Sequence, residues 1–412
     1  MISKIGIMIP EVRQIDYYCN FLSGFNKDDL VIIVNDSDKS VGDSIFNNKK
    51  LKKYNKKYLS DIMRNNEKFE YIISTGNFRV PIRLSALKQI LWICDQIIKF
   101  IYSRFIGAIF QASGLSAKLE KYFKRPFDAG GLNRTFHPAR AEFVERMIGR
   151  KNILFPRGMD INSKTYPSSE FIRRFDIFLC HGNKDYELVR KKTNAPTFKI
   201  GYPRYQLNHA VEKDQKALIK EFKLCNEKIT LLWMPSRLDW ENPKYRNIKD
   251  WLPSIGCANS EIQIIVRPHP HLIKINPELI KELKEYRFHV DSLKSRNLSA
   301  LYSTSDIVIA DYGGSIFSGL YMKKPVILLN SANHDKVLKS NELDISLRHR
   351  FTEFNLKDSN ELELLLNTLD HDKINKLNAL SNSLRSEIFG ENNFQEFYDF
   401  INNDKAMSFK KN

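Results

Sequence analysis

Short apolar runs that stop abruptly at a turn recur along this chain, and they limit its fold more than any other feature. In the first half, residues 5–9 (IGIMI) end at Pro10-Glu11, 30–34 (LVIIV) at Asn35-Asp36, and 71–74 (YIIS) at Thr75-Gly76-Asn77. Residues 152–155, 177–180 and 197–200 continue the series, the last running into Gly201-Tyr202-Pro203-Arg204. Apolar runs without polar alternation belong to strands buried on both faces. Such strands form parallel sheets, whose crossovers are helices, and helical patterns fill most of the gaps here. After a linker helix at 212–224, the rhythm resumes at 229–233, 262–266, 288–290, 307–310 and 326–329. Residues 361–369 and 374–389 read as helices. Residues 394–407 read as a terminal helix that packs back across the domain junction.

A chain of 412 residues exceeds one ordinary core. The expected architecture is α/β: two Rossmann-like, doubly wound parallel-sheet domains facing a cleft. Residues 1–204 form the first, 205–392 the second, and 393–412 a helical tail. In such domains ligands bind at the carboxyl edge of the sheet. Residues 85–127 break the pattern. Ile90, Leu91, Ile97, Ile98, Ile101 and Phe105 recur at helical spacing, with Lys88, Lys99, Arg104, Lys121 and Lys124 among them. Asp95, Lys99 and Arg104 rule against a membrane span. Two readings stay open: a basic amphipathic helix on an anionic bilayer surface, or a helix pair packed on the domain.

Composition narrows the class. Apolar residues make up 42% and charged residues 27%, as in a globular protein. Five scattered cysteines, none at C-x-x-C spacing, argue against a disulfide framework or a zinc site and for a reducing compartment. The apolar start is too short for a signal peptide, so a cytoplasmic protein is expected. A net charge of +17 suits nucleic acid, an anionic membrane or a phosphate-rich substrate, or serves solubility alone. Nothing resembles a helix-turn-helix or an RNA-type aromatic and basic motif, so nucleic acid is not expected.

Three strand ends carry chemistry. The first is 307–310 followed by Asp311-Tyr312-Gly313-Gly314-Ser315 and a helical pattern. Gly313 and Gly314 admit a ligand to the backbone, and a helix starting at Ser315 offers free N–H groups to phosphate. Ser315 can equally be an ordinary cap. The second is 264–266 running into Arg267-Pro268-His269-Pro270. The prolines stop the strand and present Arg267 and His269 rigidly, where an imidazole can donate to a diphosphate or protonate a leaving group. The third is 231–234 followed by Pro235-Ser236-Arg237, where Arg237 can clamp a phosphate or merely face solvent.

Together these segments resemble the CDP-glycerol glycerophosphotransferases, enzymes that prime and polymerise teichoic acids and related envelope polymers. The resemblance rests on Gly201-Tyr202-Pro203-Arg204, Pro235-Ser236-Arg237, His269-Pro270, Asp306, Asp311-Tyr312 and Lys324-Pro325, and covers roughly residues 150–335. It implies a GT-B fold, a nucleotide-activated donor, no metal and no cofactor. The expected function moves a glycerol-phosphate or polyol-phosphate unit from a CDP-activated donor to an acceptor hydroxyl in cell-envelope polysaccharide. The alternative is a GT-B glycosyltransferase using a CMP-, UDP- or GDP-linked sugar to build a capsular or lipopolysaccharide glycan. The acceptor would be a glycan or lipid-linked chain, and the enzyme would sit in the cytoplasm or on the inner face of the membrane.

Two departures stand out. Gly313-Gly314 replaces the family's Ser-Ser. The family's first domain carries a Trp-His-Gly-Thr-Pro motif with a catalytic histidine; here the matching strand ends in Pro156-Arg157-Gly158-Met159-Asp160. A different base must then accept the proton. Glu11, Asp160 and His181 each follow a strand of the first domain, and each can instead cap a helix.

Overall fold

A computed structural model describes residues 3–36, 38–76, 144–156, 158, 167, 169–205, 209–236, 247–293, 296–331 and 347–409. The 85–127 segment, Asp160 and Arg237 lie outside them. Contacts group the chain into two compact units. One comprises Met1–Gln14, Asn26–Phe155 and Ser168–Ile177; the other comprises Ile15–Phe25, Pro156–Pro167 and Phe178–Asn412. Residues 178–204, assigned by sequence to the first domain, therefore group by contact with the second unit.

The first sheet contains β1 (Ser3–Ile9), β2 (Leu30–Val34), β3 (Asn55–Tyr58), β4 (Phe69–Ser74), β5 (Gly149–Leu154), β6 (Ile177–Cys180) and β7 (Thr197–Lys199), in the order β3-β2-β1-β4-β5-β6-β7. Its central pairings are parallel. Met8, Val31, Ile33 and Ile72 face Leu59, Ile62, Val144 and Ile148 from the helices Leu59–Arg64 and Val144–Ile148. The alternate residues Ile7, Ile9, Ile32, Val34 and Ile73 are equally buried. Both faces are covered, as the unbroken apolar runs require.

The second sheet contains β8 (Ile229–Met234), β9 (Ile262–Val266), β10 (His289–Val290), β11 (Ile307–Ala310), β12 (Val326–Leu329) and β13 (Thr352–Phe354). All are parallel, in the order β10-β9-β8-β11-β12-β13. Leu231, Trp233, Ile307, Ile309, Ile327 and Leu329 pack against Trp251, Leu252 and Leu366 on one side. Leu232, Val308, Ala310 and Leu328 pack against Leu320, Leu384 and Ile388 on the other. Each such side chain contributes about 1.5–3 kcal/mol when fully buried. The expected two doubly wound parallel sheets, the layers of a GT-B protein, are present.

Both sheets reverse their order of growth between the first strand laid down and the fourth: between β1 and β4, and between β8 and β11. The carboxyl edge beside such a reversal is where ligands bind in this architecture. At the opposite edge of the second sheet, Asp306 takes the N–H of Thr230 and gives its own to the Thr230 carbonyl, each at 2.8 Å. Lys324 donates to Ser303 O at 3.5 Å, and burial lowers its pKa. Asp306 and Lys324, two of the residues behind the family resemblance, therefore precede β11 and β12, away from the reversal's carboxyl edge.

Within the second unit the chain's early and late segments meet. Tyr398, on the helix Phe394–Phe409, donates its hydroxyl to Phe21 O at 2.7 Å. The Phe21 and Phe397 rings stack 6.0 Å apart.

Candidate active site

The carboxyl ends of β9, β8 and β11 are tied side by side through their loops. His269 N–H donates to Pro235 O at 3.3 Å. Ser236 N–H donates to both oxygens of Asp311, at 2.9 and 3.0 Å. The Asp311 carboxylate also takes the N–H of Tyr312, at 2.7 Å. It is fully buried and serves as a clasp between β8 and β11. A carboxylate repels phosphate, so Asp311 is suited to holding the loop and not to touching an anion.

Beyond the clasp the backbone turns sharply. Gly313 has φ +86° and precedes the helix Gly314–Tyr321 with no side-chain cap. Only glycine adopts that conformation without strain. A Cβ built on Gly313 meets nothing within 4 Å among the described residues. The glycine is therefore needed for its dihedral angle rather than for lack of space. The first N–H groups of an α-helix have no partner within the helix, and here the cap residue, a glycine, has no side chain to take them. Together with the helix dipole they favour an anion at Gly314 and Ser315. On the neighbouring strand end the Ser236 hydroxyl is buried and, among the described residues, lacks a hydrogen-bond partner.

His269 is exposed, and its carbonyl accepts from Leu272 N–H at 2.8 Å, closing the first turn after β9. β8 alone separates its strand from β11, so at ~4.8 Å per strand its backbone stands about 10 Å from that of Asp311. A side chain and a diphosphate together span that distance. Arg267 has other partners. Its Nη1 donates to Asp291 and, at 2.7 Å, to Leu293 O. Arg296 binds the same aspartate at 3.1 Å. Arg267 thus braces the carboxyl end of β9 under His269.

The candidate bases stand in different surroundings. Glu11 follows β1 at the reversal of the first sheet and is partly exposed; its carbonyl accepts from Gln14 N–H at 2.9 Å. His181 is 2% exposed. Its Nδ1 lies 3.3 Å from Asp185, and its ring centroid lies 4.1 Å from that of Tyr202. Asp185 also takes the N–H groups of His181 and Gly182, at 2.6 and 2.9 Å, at the start of the helix Asn183–Lys192. His181 is thereby built into a helix start. Among the described residues, no group of three or more His, Cys, Asp or Glu is placed to hold a metal.

Sequence reading did not single out Arg348. It is 1% exposed and donates through Nη2 to the Asp311 carbonyl. It also reaches Asn330 Oδ1 through Nε and Nη2, at 2.9 and 2.8 Å. Its guanidinium lies 4.3 Å from the Tyr312 ring centroid. The only signal was an arginine four residues before a short strand, and spacing alone cannot show that it folds under the 311–314 turn.

Residues 181–335 match the CDP-Glycerol:Poly(glycerophosphate) glycerophosphotransferase family, so the resemblance read from the motifs holds over that segment. No curated protein sequence matches the chain. Among solved structures, the wall teichoic acid polymerase TagF is similar at 13% identity and TM-score 0.57, covering 99% of this chain and 90% of that one. A TagF variant soaked with CDPG matches at 12% identity and TM-score 0.56, with the same coverage. These likenesses show a shared fold.

Proposed function

We propose, from the premise that residues 181–335 belong to the glycerophosphotransferase family, that this chain transfers glycerol-phosphate or a related polyol-phosphate from a CDP-activated donor to an acceptor hydroxyl of a cell-envelope polymer. The observation that carries the reading is the uncapped start of the helix Gly314–Tyr321, entered through a left-handed Gly313 beside the reversal of the second sheet. That edge supplies N–H donors for a diphosphate, and the exposed His269 stands one strand beyond β8. The family match and the CDPG soaked into TagF support a cytidine-linked donor.

In this reading the acceptor oxygen attacks the phosphorus bearing the glycerol. The new O–P bond forms as the bond to the leaving nucleotide breaks. His269, Ser315 and the 313–315 backbone stabilise the charge that gathers on the nucleotide, and Arg237 adds a cation. Glu11 takes the acceptor proton; its place after β1 at the first sheet's reversal supports it over His181, which is buried against Tyr202. The working division is residues 1–204 for the acceptor and 205–392 for the donor. A cytoplasmic enzyme resting on an anionic membrane face fits the net charge of +17. No helix among the described residues is long and apolar enough to cross a membrane.

His269→Ala tests the mechanism. The side chain is exposed, so the variant should melt like the parent while kcat with CDP-glycerol falls by a factor on the order of 10² or more. Near-normal turnover would remove His269 from the mechanism. Running the parent enzyme with CDP-glycerol and with CMP-, UDP- and GDP-linked sugars identifies the donor.

A further inference from the structure

We propose that Arg348 is a positioning residue for the donor's diphosphate: its buried guanidinium fixes the peptide from which the 311–314 turn springs. The proposal deepens the functional reading above and rests on it for the identity of the ligand.

Moving a guanidinium out of water is costly unless close acceptors replace the lost hydration. Among the described residues the carboxylate neighbour of Arg348, Glu353, is 3.9 Å from Nε, beyond hydrogen-bond range. The acceptors that Arg348 does have are neutral: the Asp311 carbonyl and the Asn330 side-chain oxygen. Among the described residues its buried Nη1 has no hydrogen-bond partner. Stabilising the fold is a poor explanation for such an arrangement, since a well-packed apolar side chain would serve as well or better.

Geometry supplies the better explanation. Asp311 is held at both ends, its carboxylate by the N–H groups of Ser236 and Tyr312 and its carbonyl by Arg348. The peptide plane between Asp311 and Tyr312 therefore cannot rotate. Tyr312 is fixed next. Its ring lies against the guanidinium, and its hydroxyl accepts from Ser331 N–H at 3.0 Å and lies 3.3 Å from the Ser331 hydroxyl. Burial raises the Tyr312 pKa above its ordinary value, so it remains a neutral hydroxyl. With residues 311 and 312 immobilised, the direction of the N–H groups at 314 and 315 depends on Gly313 alone. Asn330, which receives two of the guanidinium donors, is itself anchored. Its Nδ2 donates to Glu353 at 3.1 Å and to Asn355 at 3.0 Å, and its carbonyl accepts from Trp251 at 3.1 Å. A planar fork reaches the carbonyl and the amide at once; a lysine ammonium cannot.

Arg174 provides an internal control. It too is buried and donates to a turn carbonyl, that of Gly76 at 3.0 Å, but in the first unit and alongside a full ion pair with Glu145. The experiment compares Arg348→Lys with Arg174→Lys in the full-length protein. It measures CDP affinity by calorimetry, donor KM and kcat, thermal stability, and hydrogen exchange at the amides of residues 312–316. In Arg348→Lys, CDP binding should weaken about tenfold and donor KM rise in proportion, the size expected for misaligned charge-assisted hydrogen bonds. Exchange at 312–316 should accelerate while β8 and β11 stay protected. Arg174→Lys should lower the melting temperature and leave CDP affinity within twofold. Should Arg348→Lys fail to fold, Asn330→Ala, which removes one acceptor of the same guanidinium, is expected to act in the same direction.

Unchanged CDP affinity and unchanged exchange in Arg348→Lys overturn the proposal, as does an equal loss of affinity in Arg174→Lys. If the parent protein binds no CDP, the transferase reading fails, and the exchange rates alone decide whether Arg348 sets the turn.

Discussion

The turn after β4 and the turn after β11 hold equivalent places in their sheets, yet among the described residues only one is left open. Each contains a glycine in the left-handed region, Gly76 at φ +76° and Gly313 at φ +86°. In each, a buried arginine donates to a turn carbonyl, Arg174 to Gly76 O and Arg348 to Asp311 O. Above the first turn the protein closes in. A Cβ on Gly76 would meet the Phe171 ring at 2.9 Å, whereas one on Gly313 would meet nothing within 4 Å among the described residues. Ser74 donates to Glu145 at 2.8 Å and accepts the N–H of Gly76 at 3.0 Å, so the polar groups of the first turn satisfy one another. A left-handed glycine at a reversal is thus a device for turning the chain. It can offer donors to a ligand only where, as at Gly313, a helix follows and its cap has no side chain to take the first N–H groups.

Breaking the closed turn should produce the largest effect. Glu145→Ala strands Arg174 in the interior and should cost about 3–5 kcal/mol of stability, read from urea denaturation. CDP affinity of the folded protein should not change; a loss would mean that the two turns are coupled. The glycine pair sharpens the contrast. Gly313→Ala forces an L side chain into the left-handed region at roughly 1–2 kcal/mol and sets a methyl where the diphosphate approaches, so both melting temperature and CDP affinity should fall. Gly76→Ala should lower the melting temperature only. If the two variants bind CDP equally well, the open turn is not the donor site.

The smallest effect concerns the edge of the second sheet. Burial of His289 lowers its pKa below the ordinary value of 6.5. The folded state then resists a proton that the unfolded chain accepts. This contribution is absent above pH 6.5 and becomes destabilising as the pH falls below it. His289→Phe should therefore flatten the decline in melting temperature between pH 7 and 5. An unchanged slope would show that other groups control acid stability.

Much of this was legible in the sequence. β2, β6, β9, β11 and β12 fall where the apolar runs at 30–34, 177–180, 262–266, 307–310 and 326–329 end at turns. Burial on both faces demands such runs, and few alternatives produce them. β3 and β13 were not legible. They read NKKY and TEF, and they are edge strands, where one side lacks a neighbour and lysine is favoured. At the site, the strand ends bearing His269 and 311–315 could be read because proline and glycine punctuate them. The clasp from Asp311 to Ser236 and the support from Arg348 could not, because each joins residues 37 to 75 positions apart. Arg267 shows the converse: a cation that its place at a strand end suggested for an anion, and whose charge is instead paired with Asp291.

The contact between Tyr398 and the carbonyl of Phe21 has a consequence for biosynthesis. Residues 15–25 group with the second unit and meet a helix that starts at Phe394. At about 5–20 residues per second, their partner leaves the ribosome roughly 20–75 s after they do. Through that interval Phe21, fully buried in the finished protein, lacks the cover of Phe394, Phe397 and Tyr398. The second unit can complete its packing only once the helix Phe394–Phe409 has emerged, which makes the nascent chain a natural client for holding chaperones.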